Sequence, residues 1–320
     1  MTGKYEIEIY NNRVHYFLQI KRNITLLQGN SATGKTELIR LISDFEANGK
    51  SSGITVRCDV PCTVLTPVDW EQRLGNLKGK IIFIDETAGF LRTQRFAERV
   101  RGSDNYFVII TRDDLPQLPY SVEEIYGLRN DRSKYKPFRK VYNEMYRLYH
   151  FTQEFAPDIV ITEDSNAGFQ CFELIYGGIC KSAGGKSRIY DLIRNHKDGM
   201  ILVIVDGAAF GSEMGKIDRY LKTSEKKCTI FAPESFEYLI LKSGILELPS
   251  TVTEETYLHA DSIKYMSWEE FYTDYLVQNT QRTVYQYNKS ALAESYKTEG
   301  SLRRIVAVLP EQIRGKRNEE

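Results

Sequence analysis

The chain has 320 residues, with 43 Lys plus Arg against 43 Asp plus Glu, 42% hydrophobic and 12% aromatic residues. A single hydrophobic core stops growing at about 250–300 residues, so two domains of ordinary size are expected. The formal charge of zero excludes a wholly basic surface, and the apolar content excludes an acidic, disordered chain.

The zero is an average. Residues 1–150 hold 23 basic and 18 acidic side chains, a balance of +5, while residues 151–320 hold 20 and 25, a balance of −5. No run approaches the about 18 consecutive apolar residues of a membrane span. Met1-Thr2-Gly3-Lys4-Tyr5-Glu6 has no apolar signal core, so a cytoplasmic chain with no membrane partner is expected. Cys58, Cys62, Cys171, Cys180 and Cys228 form no CxxC pair and read as reduced, mostly buried thiols. His15, His150, His196 and His259 form no HxH or HExxH pattern, which argues against zinc.

In chain order, Lys4 to Gln19 alternates loosely and predicts a hairpin bent at Asn11-Asn12. Ile24-Thr25-Leu26-Leu27 is a short continuous apolar run, as are Ile81–Ile84 and Tyr106–Ile110. Such runs suit strands of a parallel sheet covered on both faces. Leu38, Ile39, Leu41, Ile42 and Phe45 mark one face of a helix that stops near Gly49. Residues 127–140 carry Arg129, Arg132, Lys134, Lys136, Arg139 and Lys140 against Asp131 and predict a basic linker, with a helix over 141–150. This run is either a solvated loop or a contact for a phosphate backbone, with Tyr126, Tyr135 and Phe138 available for stacking. Asp158–Thr162, Met200–Val205 and Cys228–Phe231 predict a second set of buried strands, with helices at about 166–177, 187–196 and 213–223. The predicted fold is α/β, with domains over 1–126 and 153–250, the linker and helix over 127–152, and a mostly helical appendage over 251–320.

Between the first apolar run and the first helix, Gly29-Asn30-Ser31-Ala32-Thr33-Gly34-Lys35-Thr36 fits the phosphate-loop pattern GxxxxGK[ST]. Glycines let backbone N–H groups turn toward phosphate oxygens, Lys35 reaches the β and γ phosphates, and the Thr36 hydroxyl binds Mg²⁺. Lys80–Ile84 ends in Asp85-Glu86, which resembles a Walker B segment: Asp85 for Mg²⁺, Glu86 to orient the attacking water. Thr111-Arg112 closes the next strand, where Arg112 is either a γ-phosphate sensor or a surface ion pair. About 110 residues thus resemble the head of ABC-type ATPases of the OLD and SMC kind, which implies ATP and Mg²⁺ as ligands. No LSGGQ-like signature lies among the 48 residues between Thr36 and Asp85, and Arg112 stands where those proteins place a switch histidine.

In the second half, Glu163 follows Ile159–Thr162 and Asp206 follows Ile201–Val205. Two carboxylates at the ends of neighbouring parallel strands can share a Mg²⁺ that polarises a phosphodiester. These positions resemble the Glu and the first Asp of a Toprim domain, with Ala208 in place of the second Asp. The segment Phe231–Tyr238 resembles one in OLD-like Toprim proteins that brings a further acid, here Glu237. Glu213 is an alternative acid, and Ser182-Ala183-Gly184-Gly185-Lys186-Ser187 suits a phosphate contact at a helix start.

The resemblance implies a P-loop ATPase joined to a Toprim-like, Mg²⁺-dependent nuclease acting on DNA or RNA, of the kind found in phage or bacterial defence effectors. Catalysis would fall to Glu86, Glu163 and Asp206, and metal to Thr36, Asp85, Glu163, Asp206 and Glu237. Three alternatives stand beside it. One is a Rossmann-like unit with capping acids and no chemistry. Another is an ATP-dependent switch or scaffold acting through a partner protein or as a homo-oligomer. The third is a small-molecule phosphotransferase with the arginine-rich stretch as its lid.

Overall fold

The computed structural model describes residues 1–29, 33–135, 140–150, 156–197 and 199–314. The chain is α/β and divides into two compact units, one made of Met1–Tyr149 with Tyr257–Met266 and the other of His150–Thr256 with Ser267–Glu320. Among the described residues, no helix is long and apolar enough to cross a membrane.

The first unit is built on a nine-stranded mixed sheet. Its strands are β1 (Tyr5–Tyr10), β2 (Val14–Ile20), β3 (Ile24–Leu27), β4 (Thr55–Arg57), β5 (Cys62–Val64), β6 (Lys80–Ile84), β7 (Asn105–Ile110), β8 (Ile125–Asp131) and β9 (Val141–Arg147), in the order β4-β1-β2-β9-β8-β3-β7-β6-β5. From β5 to β8 every neighbour is parallel. β3, β6 and β7 are buried along almost their whole length, as their continuous apolar sequences require. The β1–β2 hairpin turns at Asn11, whose Oδ1 accepts from the N–H groups of Arg13 and Val14 at 2.8 and 3.0 Å. That bond pattern is why asparagine favours turns.

Helix α1 (Lys35–Asn48) lays Leu38, Leu41 and Ile42 against β1, β2 and β3 and ends at Gly49, at φ +55. Helices α2 (Trp70–Asn76) and α3 (Gln94–Val100) connect the parallel strands β5, β6 and β7.

The predicted basic linker and the helix over 141–150 are not what the structure has. Residues 125–131 and 141–147 form the antiparallel pair β8–β9 within the sheet. The register places Arg129 opposite Glu144, and their side chains pair at 2.6 Å. Alternation and cross-strand charge pairing outweigh the composition that suggested a linker, and Tyr142 and Tyr146 are themselves strand formers. Lys136, Pro137, Phe138 and Arg139 lie outside the described residues.

The second unit holds four parallel strands, β10 (Ile159–Thr162), β11 (Cys180–Ser182), β12 (Met200–Ile204) and β13 (Lys227–Phe231), in the order β11-β10-β12-β13. Helices α4 (Ala167–Tyr176), α5 (Lys186–Asn195), α6 (Gly211–Thr223) and α7 (Phe236–Lys242) connect or follow them. The tail holds the short α8 (Thr251–Glu254), α9 (Trp268–Thr280), α10 (Glu294–Lys297) and α11 (Glu299–Val308), with less than half of residues 251–314 in these helices.

This tail is no appendage. Leu276, Tyr287, Tyr296 and Ile305 share one core with Val160, Leu202 and Leu239, because a small sheet needs apolar cover that its connecting helices leave incomplete. Residues 257–266 belong instead to the first unit: Asn23 Nδ2 donates to the Tyr265 carbonyl at 2.9 Å, and the Ser262 hydroxyl donates to the Ser103 carbonyl at 2.9 Å.

One buried ion pair ties the entry of β3 to the entry of β8. Glu124 is fully buried and lies 3.1 Å from Arg22 Nε and 3.6 Å from Lys21 Nζ, while Thr25 Oγ1 donates to it at 3.3 Å. Glu124→Ala is expected to destabilise the protein by about 3–5 kcal/mol, measured by urea unfolding, since it strips the carboxylate from a buried guanidinium.

Candidate functional site

Parallel strands deliver the chain to one edge. Leu27 pairs with Ile110, and Ile84 with Ile109, so the segments leaving β3, β7 and β6 start at nearly the same level. Those segments contain the glycine turn, Thr111-Arg112 and Asp85-Glu86. The carboxyl edge of an open α/β sheet is where ligands bind in this architecture.

Gly29 and Gly34 sit at φ +115 and +89, values that favour glycine. Gly34 is also crowded: a Cβ there would lie 2.6 Å from the Tyr16 hydroxyl oxygen, which itself donates to the Gly34 carbonyl at 2.8 Å. Lys35 opens α1, and its buried ammonium donates to the Gly29 carbonyl and the Thr33 hydroxyl, each at 2.9 Å. Burial lowers its pKa, Arg112 lowers it further and Glu86 opposes them. Thr36 is exposed on the first turn. Asn30, Ser31 and Ala32 lie outside the described residues.

Across the edge, Glu86 and Arg112 form an ion pair with Nε 3.3 Å from Oε2. Arg112 is therefore in an ion pair and within electrostatic reach of Lys35. Asp85 Oδ1 accepts from the Thr87 N–H and hydroxyl at 3.0 and 2.8 Å. Thr87 has no signature in the sequence that distinguishes it from an ordinary loop residue.

The second unit repeats the edge logic. Thr162 pairs with Ile204, so Glu163 and Asp206 leave the ends of adjacent strands, and the Asp206 N–H donates to Glu163 Oε2 at 3.2 Å. Asp206 Oδ1 accepts from the Phe236 N–H at 3.0 Å, which fixes it against the start of α7. Glu237 is 1% exposed; its Oε1 accepts from the Tyr287 hydroxyl at 2.8 Å, and its Oε2 is buried with no hydrogen-bond partner. Glu163, Asp206 and Glu237 line one cleft of about 30 Å³, room for one or two water-sized groups.

Burial, with Glu269 and Asp164 as like charges, pushes the Glu163 carboxyl up to about 7, against the Asp206 N–H and Lys186. Burial likewise raises the Asp206 carboxyl well above its ordinary range, with Glu269, Glu237 and Glu163 adding to the effect. Lys289 lines the same cleft and pairs with Glu269. Burial opposes its charge, yet Glu269, Glu237 and Asp206 together raise its pKa.

Glu269, Tyr287 and Lys289 escaped the sequence reading. They lie more than 60 residues past Asp206, and Lys289 is placed by the bond from the Ala167 N–H to its carbonyl at 2.9 Å, a tertiary contact without a motif. Ala208, where a second Asp would stand, is 2% exposed, and its N–H donates to the Glu234 carbonyl at 3.0 Å. Glu213 lies in the first turn of α6 and does not line the cleft. Gly184 and Gly185 have φ +73 and +130, and Lys186 donates to the Ala209 carbonyl at 3.3 Å. Among the described residues no three His, Cys, Asp or Glu side chains converge as a ready metal-ligand set.

No known protein family, characterised protein or solved structure is matched by the chain.

Gly34→Ala and Tyr16→Phe should interact. Gly34→Ala is expected to cost about 1–2 kcal/mol from its backbone conformation alone, plus the clash. Tyr16→Phe removes the clashing oxygen, so the double variant should be more stable than the sum of the two in a thermal double-mutant cycle.

Glu163 provides a pH test in EDTA. Its folded pKa lies above the unfolded value, so ionising it opposes folding, and stability is lost as pH rises from about 4.5 through about 7. Glu163→Gln should therefore gain on the wild type between pH 5 and about pH 7 and level off above that in chemical denaturation.

Proposed function

We propose that this chain is a P-loop ATPase whose second unit is a Toprim-like, Mg²⁺-dependent nuclease acting on DNA or RNA. The observation that carries the reading is the gathering of Lys35, Glu86 and Arg112 at the sheet edge where the Gly29–Gly34 turn leaves β3.

In the first unit the triphosphate would lie in the glycine turn, and Lys35 would exchange its bonds to Gly29 and Thr33 for phosphate oxygens. Thr36 and Asp85 would hold Mg²⁺. Glu86 would orient the attacking water, and Arg112 would balance charge that develops on the γ-phosphate.

In the second unit Glu163, Asp206 and Glu237 would hold a divalent cation. The fit rests on the buried Glu237 oxygen without a partner and on the Glu163 and Asp206 carboxyls, raised by burial and by neighbouring acids, a cost that a bound cation relieves. Bound Mg²⁺ supplies Lewis acidity toward a phosphodiester oxygen. Lys289, steadied by Glu269, adds a positive charge for a phosphate.

A second reading is favoured by the buried Ala208 and by the lack of a ready three-residue ligand set among the described residues. In it the second unit has lost cleavage, and the chain is an ATP-dependent switch for a partner protein or for a second copy of itself.

Purified protein separates the two. Lys35→Ala should lose ATP binding and hydrolysis, and Asp206→Asn should hydrolyse ATP normally while losing Mg²⁺-dependent cleavage of labelled DNA and RNA. A wild type that hydrolyses ATP but cuts neither polymer under any metal condition leaves the switch reading standing. A wild type that binds no nucleotide overturns both.

A further inference from the structure

The part of the first sheet made by β1, β2 and β9 has two unlike faces. One packs Ile7, Ile9, Tyr16 and Leu18 onto α1. Alternation sends Tyr10, His15 and Tyr142 to the other face, where His15 stands opposite Tyr10 across β1–β2 and opposite Tyr142 across β2–β9.

These rings form a cluster with Tyr135. The His15 ring centroid lies 5.2 Å from that of Tyr10, 5.2 Å from that of Tyr142 and 5.9 Å from that of Tyr135, and His15 Nδ1 is hydrogen-bonded to the Tyr135 hydroxyl. Cations crown the rings. Lys134 Nζ is 3.3 Å from the Tyr142 centroid, Lys140 Nζ is 4.8 Å from that of Tyr10 and 5.0 Å from that of Tyr135, and Arg57 is 5.5 Å from that of Tyr10.

The charge around the rings is uneven. Glu8 answers the cluster, 3.5 Å from Arg57 and 3.8 Å from His15 Nε2. Arg129 and Glu144 neutralise each other further along β8–β9. Three cations against Glu8 and against Asp131, which lies within electrostatic reach of Lys134, leave a positive excess, and the two lysines rest on aromatic faces. Arg57 is 67% exposed, and Tyr10 and Tyr135 are half-buried, with ring surface left over.

We propose that this aromatic and cationic face of the first unit binds single-stranded nucleic acid, with phosphates on Arg57, Lys134 and Lys140 and bases stacked against Tyr10 and Tyr135. The inference deepens the nuclease reading and rests on it for the identity of the polymer. Charge alone would suit any polyanion, and the rings decide for bases. A base stacked on an aromatic ring is held more strongly than an exposed cation–π contact, so lysines on flexible stems yield the ring faces and turn to phosphates.

The test uses full-length Asp206→Asn protein in EDTA, so that binding is read without cleavage, with a fluorescent oligodeoxythymidine of about 20 nucleotides, a length that covers several such sites. The logarithm of affinity should fall linearly with the logarithm of salt concentration. Adding Arg57→Gln, Lys134→Gln and Lys140→Gln should reduce that slope by about 2, since each phosphate neutralised on a single strand contributes about 0.7 to it. Adding Tyr135→Leu alone should weaken binding by about 5- to 150-fold with the slope unchanged, the loss expected for one stacked base. Unaltered ATP binding and melting temperature in both variants check the fold; if the triple variant melts early, Tyr135→Leu and Lys140→Gln alone carry the test.

An unchanged slope and affinity in these variants overturns the platform, even where the wild type cuts DNA. Binding that requires this face in a wild type that never cuts upholds the platform and removes the nuclease reading alone. Binding to vesicles of anionic phospholipid with none to the oligonucleotide overturns it in favour of a membrane surface.

Discussion

A parallel strand cannot turn back beside its neighbour; it must cross over and return, and every strand then ends on the same edge. Both sheets here obey that constraint, through β5-β6-β7-β3-β8 in the first unit and β11-β10-β12-β13 in the second. Each candidate site is a product of it. Lys35, Glu86 and Arg112 are far apart in the chain and meet because β3, β6 and β7 end level. Glu163 and Asp206 are 43 residues apart and share a hydrogen bond because β10 and β12 do the same.

The two edges collect charge differently. The first gathers Lys35 and Arg112 around a glycine turn, with Glu86 paired to Arg112 and Asp85 beside it, so cations and acids are equal in number. The second gathers Glu163, Asp206, Glu237 and Glu269 around Lys289, where ionisation of Glu163 and Asp206 is disfavoured by burial and by the neighbouring acids. One architecture thus presents a charge-balanced glycine turn in one unit and an acid-rich cleft in the other. The +5 and −5 halves of the sequence have another origin in the first half, where Arg132, Lys134, Lys136, Arg139 and Lys140 stand without an acid between β8 and β9 and not at the glycine turn.

What was legible in the sequence follows the same division between local and tertiary control. β3, β6, β7, β10 and β12 were readable because a strand buried on both faces is apolar at every position, and α1 because its apolar face repeats at helical spacing. The hairpin at Asn11 was readable from side-chain chemistry of the turn. β4 is three residues long and depends on pairing with β1, so nothing local announces it. β8 and β9 were misread because the run of lysines and arginines at 132–140, which suggested a linker, only connects them and says nothing about the strands on either side. Glu163, Asp206 and Glu237 carried strand-end or segment signals, whereas Tyr287 and Lys289 reach the cleft, and Glu269 reaches Lys289, through packing of a tail that resembles an ordinary polar helical segment.

The return of residues 257–266 to the first unit sets an order of events in folding. The first unit is interrupted by the 107 residues from 150 to 256, and closing an unstructured excursion of that length costs on the order of 4 kcal/mol in chain entropy. During synthesis the piece that bonds Asn23 and Ser103 is made only after the strands of the second unit. Until then the amino-terminal sheet must persist with that patch uncovered, and its completion comes after the sheet strands of the second unit have left the ribosome. Neither unit is one continuous stretch of the gene, so a cut at any single boundary divides the polypeptide without yielding either unit whole.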